Sequence, residues 1–461
     1  MSLRAADVRF TLPASPRSAV VLGELDEWRD GLERAGIETR TEPELVVAPA
    51  ARVREALALG PRLLVLDGIT TGLDGWSKRT IVPLPHPAEP ELLLPVGGGS
   101  AVRYAIRRWR IGSVRNTAAR ELLARGLAPP GRRRVTVAAR SGGPPFFVAR
   151  ALEELPASEA GWFVAFDRFA GAFTRGAFYL FPPGAKAPEW VVKFARQPGL
   201  AYLFEGDERG LRAAAHAPAL VAKRAPRLVT RFEIDGLHAS VETAATGERL
   251  PTLLERSNPT RGLAEIDRIA AWLVDVAAAT KSVPAALEPE RRQLEELLAR
   301  GLPTPPLKLD GVPAVFQHGD LNAENMFVRS DDFEVVDWES ATAHGFPLWD
   351  LFFFLTDALA IVDGVDSEEA RIRHFVRLWR GELDSSRVLF RWTRRLAEAA
   401  AVPPAAVGAL ATALWVSYAV RDSEQLARLA EVDPNAGEPP TLQIARRWLS
   451  EPGLGPGWQP A

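Results

Sequence analysis

Three side chains set the chemistry open to this chain. In His318-Gly319-Asp320-Leu321-Asn322-Ala323-Glu324-Asn325 an aspartate precedes an asparagine with four residues between them. In Phe333-Glu334-Val335-Val336-Asp337-Trp338-Glu339 a second aspartate closes an apolar strand. Phosphoryl transfer from Mg·ATP needs such a set, because it asks for positioning and charge neutralisation rather than covalent chemistry. Asp320 is the candidate to orient an acceptor hydroxyl and take its proton. Asn325 and Asp337 are the candidates to hold magnesium, a hard cation that prefers oxygen donors and binds few protein groups. An Asp-x4-Asn spacing alone recurs by chance. The His-Gly before it and the strand ending in Asp-Trp-Glu after it make the pattern specific. His318 is read as a brace for the loop backbone rather than as a reacting group.

The loop carries His-Gly-Asp where protein kinases carry His-Arg-Asp, and the strand ends Asp-Trp-Glu where they have Asp-Phe-Gly. With Gly345-Phe346-Pro347-Leu348-Trp349-Asp350-Leu351 downstream, the chain resembles the aminoglycoside phosphotransferase and choline kinase-like family over roughly residues 150 to 420. The resemblance implies an α+β bilobal protein-kinase-like fold, ATP and Mg2+ as cofactors, and a small-molecule alcohol as acceptor. It assigns Lys193 to the nucleotide phosphates, with Glu208 as its helix partner and Glu205 as the fallback. A strand-end lysine by itself reads as a side chain reaching solvent; an inward one needs an anionic partner. The resemblance makes Val241-Glu242-Thr243-Ala244-Ala245 the hinge whose backbone meets the adenine, with Glu242 and Ala244 as contacts. It makes Ala170 to Gly176 the candidate loop over the phosphates and Asp350 a support for the catalytic loop. It places the acceptor pocket among the C-terminal helices, where Trp349, Trp379, Trp392 and Trp415 read as core before they read as ligand contacts.

These residues need elements to hold them. Strands are expected at 162–166, 176–181 and 189–194, a hairpin turns at Asp235-Gly236, and a helix over about 263–281 precedes the catalytic loop. Beyond Asp350 the apolar periodicity predicts helices at 368–383, 388–401 and 404–419. Residues 1–140 read as a separate N-terminal α/β domain. Strands at 18–22, 45–47 and 62–66 alternate with helices at 24–35 and 51–59, favouring a parallel, Rossmann-like sheet. Ser141-Gly142-Gly143-Pro144-Pro145 marks the expected boundary. The kinase-like smaller lobe then spans 141–245 and the larger helical lobe 246–461. Gly97-Gly98-Gly99-Ser100 is a strand-to-helix turn that could cradle a phosphate on backbone N–H groups, although a plain turn is the better reading.

With 461 residues, 47% hydrophobic and 25% charged, the composition is that of a globular protein of two or three domains. A net charge of -2 gives no global electrostatic case for nucleic acid. The absence of cysteine excludes disulfides and thiolate metal sites. The N-terminus lacks a signal-peptide core and no apolar run is long enough to span a bilayer, so a cytoplasmic location is expected. One local anomaly is the Arg-rich stretch 101–134. It reads either as a surface for an anionic ligand or membrane, or as a solvated helix face neutralised by its neighbours. The expected function is an ATP- and Mg-dependent phosphotransferase acting on a small-molecule hydroxyl. The alternative is a kinase-like pseudoenzyme or scaffold, with the N-terminal domain carrying the main function. The sequence fixes neither the acceptor nor the oligomeric state.

Overall fold

The computed structural model describes residues 3–70, 73–85, 90–108, 122–127, 133–166, 175–430 and 438–460. The chain forms two compact units, Met1–Phe204 with Arg227–Ala244, and Glu205–Pro226 with Ala245–Ala461. Among the described residues no helix is long and apolar enough to cross a membrane.

The first unit is organised around one sheet of 12 strands. β1 (Ser18–Val21), β2 (Glu38–Thr39), β3 (Leu45–Pro49) and β4 (Leu63–Asp67) lie parallel in the order β2-β1-β3-β4. Helices α1 (Asp26–Arg34) and α2 (Val53–Ala58) make the return connections that parallel strands require. The expected Rossmann-like sheet goes no further than these four strands. β5 (Ser77–Pro85) and β6 (Pro90–Pro95) pair antiparallel, because the link between them is too short for a crossover. β7 (Val135–Ala139) inserts antiparallel between β4 and β5.

The sheet continues without a break past Ser141. β8 (Gly161–Phe166) pairs with β6, setting Leu92 opposite Ala165 and Leu93 opposite Val164. β9 (Arg175–Phe181), β10 (Trp190–Ala195), β11 (Leu228–Ile234) and β12 (Leu237–Thr243) complete it in the order β8-β9-β10-β12-β11. Residues 1–140 and the expected smaller lobe thus share hydrogen bonds within one sheet, and the division expected near Ser141 does not coincide with a division of the units.

The strands read as near-continuous apolar runs because both faces are covered. Leu45, Val47, Val65, Val137, Val164, Phe178, Val192 and Val241 face one core. That core is closed by α1, by α4 (Phe146–Leu152) and by a 3₁₀ segment, Leu3–Thr11. Phe147 of α4 stacks on Phe194 with ring centres 4.8 Å apart, and Phe10 packs on the same ring at 4.6 Å. On the opposite face α2 covers Val46, Leu64 and Leu66, while α3 (Gly99–Arg108) covers Leu92, Leu94 and Phe163. One ionic cluster sits inside this unit. Asp7, Arg9 and Arg196 are almost wholly buried; Arg196 pairs with Asp7, and Arg9 donates to the Arg196 carbonyl at 2.5 Å.

In the second unit α5 (Ala201–His216, of which Glu205 onward belongs here) and α6 (Ala219–Ala222) precede β13 (Glu248–Arg249), α7 (Leu250–Arg256), α8 (Pro259–Thr280) and α9 (Glu288–Leu298). Asn258 caps α8 by accepting from the Arg261 N–H at 2.9 Å, and Pro259 occupies the first helical position, where its missing N–H costs nothing. β14 (Val315–Gln317) pairs with β17 (Thr342–Gly345); β15 (Met326–Val328) joins β13 to β16 (Phe333–Val335). The remaining helices are α10 (Trp349–Val362), α11 (Glu368–Trp379), α12 (Ser386–Ala400), α13 (Val407–Ala430) and α14 (Pro440–Ser450). Trp379 lies among Trp415, Trp448 and Trp458 with ring centres 5.8, 5.0 and 4.7 Å away. Trp349, Trp379, Trp392 and Trp415 are all buried, so the four candidate aromatics belong to the core.

Candidate active site

The stretch between β14 and β15 is fixed by its backbone amides. Gly319 has φ 85°, a left-handed conformation that glycine adopts freely. A Cβ there would stand 2.5 Å from the Ser340 carbonyl oxygen, so no larger residue fits. Asp350, in the first turn of α10, accepts from the His318 N–H at 2.6 Å and from the Gly319 N–H at 2.9 Å. Asp357, two turns further along the same helix face, accepts from the Ala323 N–H at 3.0 Å and pairs with Arg371 at 2.9 Å. One helix therefore grips the loop at both ends. Asp350 was expected in that part; Asp357 was missed, because no local pattern marks it.

His318 ties this loop to the neighbouring strand end. Its Nδ1 accepts from the Asp320 N–H at 3.3 Å, which leaves Nε2 as the protonated nitrogen, donating to the Val336 carbonyl at 2.9 Å. The ring also meets Trp338 edge-on, with centres 4.6 Å apart. The Asn325 side-chain nitrogen donates to the Asp320 carbonyl at 2.9 Å and to the Asp320 carboxylate at 3.3 Å. Its amide oxygen is thus the atom it can offer a cation. The Val336 N–H donates to the Asn325 carbonyl at 2.9 Å, so the two segments carrying Asn325 and Asp337 are bonded to each other.

Asp337 stands in the left-handed region, φ 62° and ψ 58°, which aspartate tolerates better than most residues. Trp338 follows it into the core, donating from its indole nitrogen to the Val335 carbonyl at 2.7 Å. Helix α5 lies directly on this turn. A Cβ at Gly210 would come within 1.6 Å of the Trp338 carbonyl oxygen, and one at Gly206 within 3.3 Å of the Glu339 carbonyl oxygen. Two glycines one turn apart therefore let α5 approach the backbone that follows Asp337. Both were missed from the sequence, although Gly206 and Gly210 inside a helical pattern were a readable signal.

Acidic groups gather here. Burial, with the charges of Asp337 and Glu339 close by, pushes the Asp320 carboxyl up to about 7. Burial raises Asp350 to about 6 in spite of its two backbone hydrogen bonds. Acids crowding acids is unfavourable unless a cation joins them. The donor set, a carboxylate and an amide oxygen, suits a hard divalent ion that keeps other oxygen ligands of its own.

Lys193 lies on β10, on the face opposite the main core, and pairs with Glu242 of β12 at 3.1 Å. In the register Lys193 stands opposite Ser240 and Val191 opposite Glu242, which makes the lysine and glutamate diagonal neighbours on one face. Glu242, expected as a backbone contact, thus contributes its side chain. The Ala244 N–H, in the expected hinge, donates to the Glu189 carbonyl at 2.8 Å. Glu208 lies on α5 and pairs with Arg212; Glu205 is exposed. Most of the candidate phosphate loop, residues 170–174, lies outside the described residues, as do Arg110, Arg115, Arg120 and Arg132 of the Arg-rich stretch. Within that stretch α3 buries Ala101, Val102, Ala105 and Ile106, Arg108 donates to Tyr104 at 3.2 Å, and Arg133 pairs with Asp67 at 3.5 Å. At the Gly97–Ser100 turn, the Gly97 N–H donates to the Leu123 carbonyl at 3.0 Å and the Gly98 N–H to the Pro95 carbonyl at 3.0 Å.

Residues 184–383 match the model of the phosphotransferase enzyme family. Among solved structures the chain is similar to an aminoglycoside phosphotransferase of Streptomyces rimosus, at 14% identity and TM-score 0.32 over 55% of this chain and 97% of that one. It is similar to a type VIII aminoglycoside-3'-phosphotransferase at 20% identity and TM-score 0.26, over 54% of this chain and 97% of that one. It is similar to WbdD, crystallised with a kinase inhibitor, at 14% identity and TM-score 0.28, over 84% of this chain and 79% of that one. Scores this low carry no argument about activity. No curated protein matches the chain. The matched residues include Lys193, Asp320, Asn325 and Asp337, so segment 184–383, rather than the whole chain, is similar to the phosphotransferase enzyme family.

Proposed function

We propose that the protein is an ATP- and Mg2+-dependent phosphotransferase that moves the γ-phosphate to a hydroxyl of a small molecule. The observation that carries this reading is the gathering of Asp320, Asp337 and Glu339 at one place, with the Asn325 amide bonded to the Asp320 carboxylate and that carboxyl raised by burial and its acidic neighbours. Asp320 would hold the acceptor hydroxyl and take its proton, and a base that titrates near neutral pH suits that task. Asn325 and Asp337 would hold magnesium, which when bound neutralises charge on the transferring phosphoryl group. Lys193, kept in place by Glu242, is assigned to the phosphates of the nucleotide, and Glu208 and the Ala244 carbonyl to its surroundings. The acceptor is a hydroxyl-bearing small molecule of the sugar, amino-alcohol or glycan- or lipid-linked kind.

Calorimetry of the full chain with ATP, in excess Mg2+ and in a chelator, tests the reading. Wild-type protein should bind Mg·ATP more tightly than free ATP. Asp337→Ala should erase that difference, because the cation loses its anionic protein ligand. An undiminished Mg2+ dependence in the variant would refute the assignment of Asp337.

A further inference from the structure

The catalytic loop has a third support, from a helix outside the family match. Tyr418 lies on α13, beyond residue 383, and donates its hydroxyl to the Gly319 carbonyl at 2.7 Å. Its ring stacks on Phe353 of α10, with centres 4.4 Å apart and planes 28° from parallel. The bond completes a pattern. The Gly319–Asp320 peptide carries one N–H and one carbonyl; the N–H goes to His318 Nδ1, and the carbonyl goes to Tyr418. The preceding N–H, that of Gly319, goes to Asp350. With Gly319 in the left-handed region, no helix or strand partner reaches this carbonyl, so a side chain must.

We infer that Tyr418 is a positioning residue for Asp320: its hydroxyl sets the plane of the Gly319–Asp320 peptide, and through it the direction of the Asp320 carboxylate. The aromatic stack holds the ring, and the ring holds the peptide. A one-ångström error in the placement of a base is costly in rate, whereas binding of a nucleotide through other groups does not feel it. Burial and the charges of Asp320 and Asp350 keep the tyrosine hydroxyl protonated well beyond its usual range, so it stays a donor wherever the enzyme works. The role in turnover rests on the phosphotransferase reading; the grip on the loop does not.

Tyr418→Phe removes one oxygen and keeps the stack. In the full chain, two readouts are decisive. Hydrogen exchange of peptides covering residues 318–325 should speed up in the variant, while exchange in α8 and α12 stays as in wild type. Slow hydrolysis of Mg·ATP to ADP, with water as the acceptor, should fall roughly three- to tenfold in kcat with KM for Mg·ATP unchanged, the loss expected of one hydrogen bond. Unchanged exchange in 318–325, or an increase spread evenly over the unit, overturns the inference. So does a rise in KM at constant kcat, which would make Tyr418 a ligand contact. Wild-type protein that binds Mg·ATP but never produces ADP would count against the phosphotransferase reading alone, and the exchange result would still decide the role of Tyr418.

Discussion

Two buried ionic clusters in this chain are built on opposite principles. In the first unit Asp7, Arg9 and Arg196 bring opposite charges together among apolar side chains. Arg9 also donates to the Ala6 and Arg196 carbonyls, and burial, the largest influence on it, lowers its pKa to about 10 without taking its charge at neutral pH. In the second unit Asp320, Asp337 and Glu339 bring like charges together, and burial first, then these neighbours, raise the Asp320 carboxyl. The first cluster joins the 3₁₀ segment at the N-terminus to the end of β10, with one carboxylate set between two guanidinium groups. The second is held by backbone amides and glycines that fix its geometry around like charges. Opposite charges paired in a core mark a structural cluster; like charges gathered in a rigid frame, with a raised carboxyl among them, mark a candidate site.

Substitutions should separate the two clusters cleanly. The largest expected effect is on Asp320. Asp320→Asn keeps the shape and the hydrogen bond to Asn325 but removes the proton acceptor, so turnover should fall by about 10²–10⁴-fold. Binding of Mg·ATP should change little. Equal losses of binding and turnover would place Asp320 among the metal ligands instead. The pH dependence follows from the same carboxyl: the base must be ionised to act, so kcat/KM should drop as pH falls through an acid limb at or below about 7, lower if Mg2+ offsets its acidic neighbours. An acid limb well above that value would assign the base to another group.

Asp7→Ala should do the reverse. It strands two buried guanidinium groups, which costs roughly 3–5 kcal/mol when a buried pair is broken. Chemical denaturation of the full chain would read this loss in the first unit, with Mg·ATP binding per folded molecule unchanged. A variant of wild-type stability would mean that the pairing contributes nothing net.

What could be read from the sequence follows the range of the interactions. The segment 318–325 and the strand ending at Asp337 are contiguous, so residue types and spacing reveal them. Lys193 could be marked on its strand, but its bond to Glu242 depends on a register that no single strand encodes. Asp357, Tyr418 and the glycine pair of α5 act across 34, 99 and more than 120 residues, and each looks ordinary where it stands. The N-terminal sheet misled for a different reason. Its parallel strands follow the βαβ pattern, whereas β5 carries prolines, charges and a threonine that hide its strand character, and β5 and β7 take their antiparallel places only between β6 and β4.

The smallest effect tests the pairing of opposite charges within the second unit itself. Asp363, at the end of α10, accepts from His374 at 2.7 Å and from Ser385 at 2.6 Å, tying α10 to α11 and to the start of α12. Burial alone would raise this carboxyl, but the two hydrogen bonds and the His374 charge outweigh it and hold the pKa below its ordinary value of 3.8. A folded-state pKa below the unfolded one means that the charged form stabilises the fold. That contribution is fully present above the ordinary carboxylate range and is lost as pH falls through the folded-state value. Solvent reaches the side chain, which is 31% exposed, so screening keeps the effect small. Denaturant titrations of wild type and Asp363→Asn, from about pH 7 down to about pH 3, should show the variant less stable at the upper end and the two converging at the acid end. Parallel curves would mean that Asp363 gives the fold nothing through its charge, and that opposite charges placed together are no sign of a structural role in this unit.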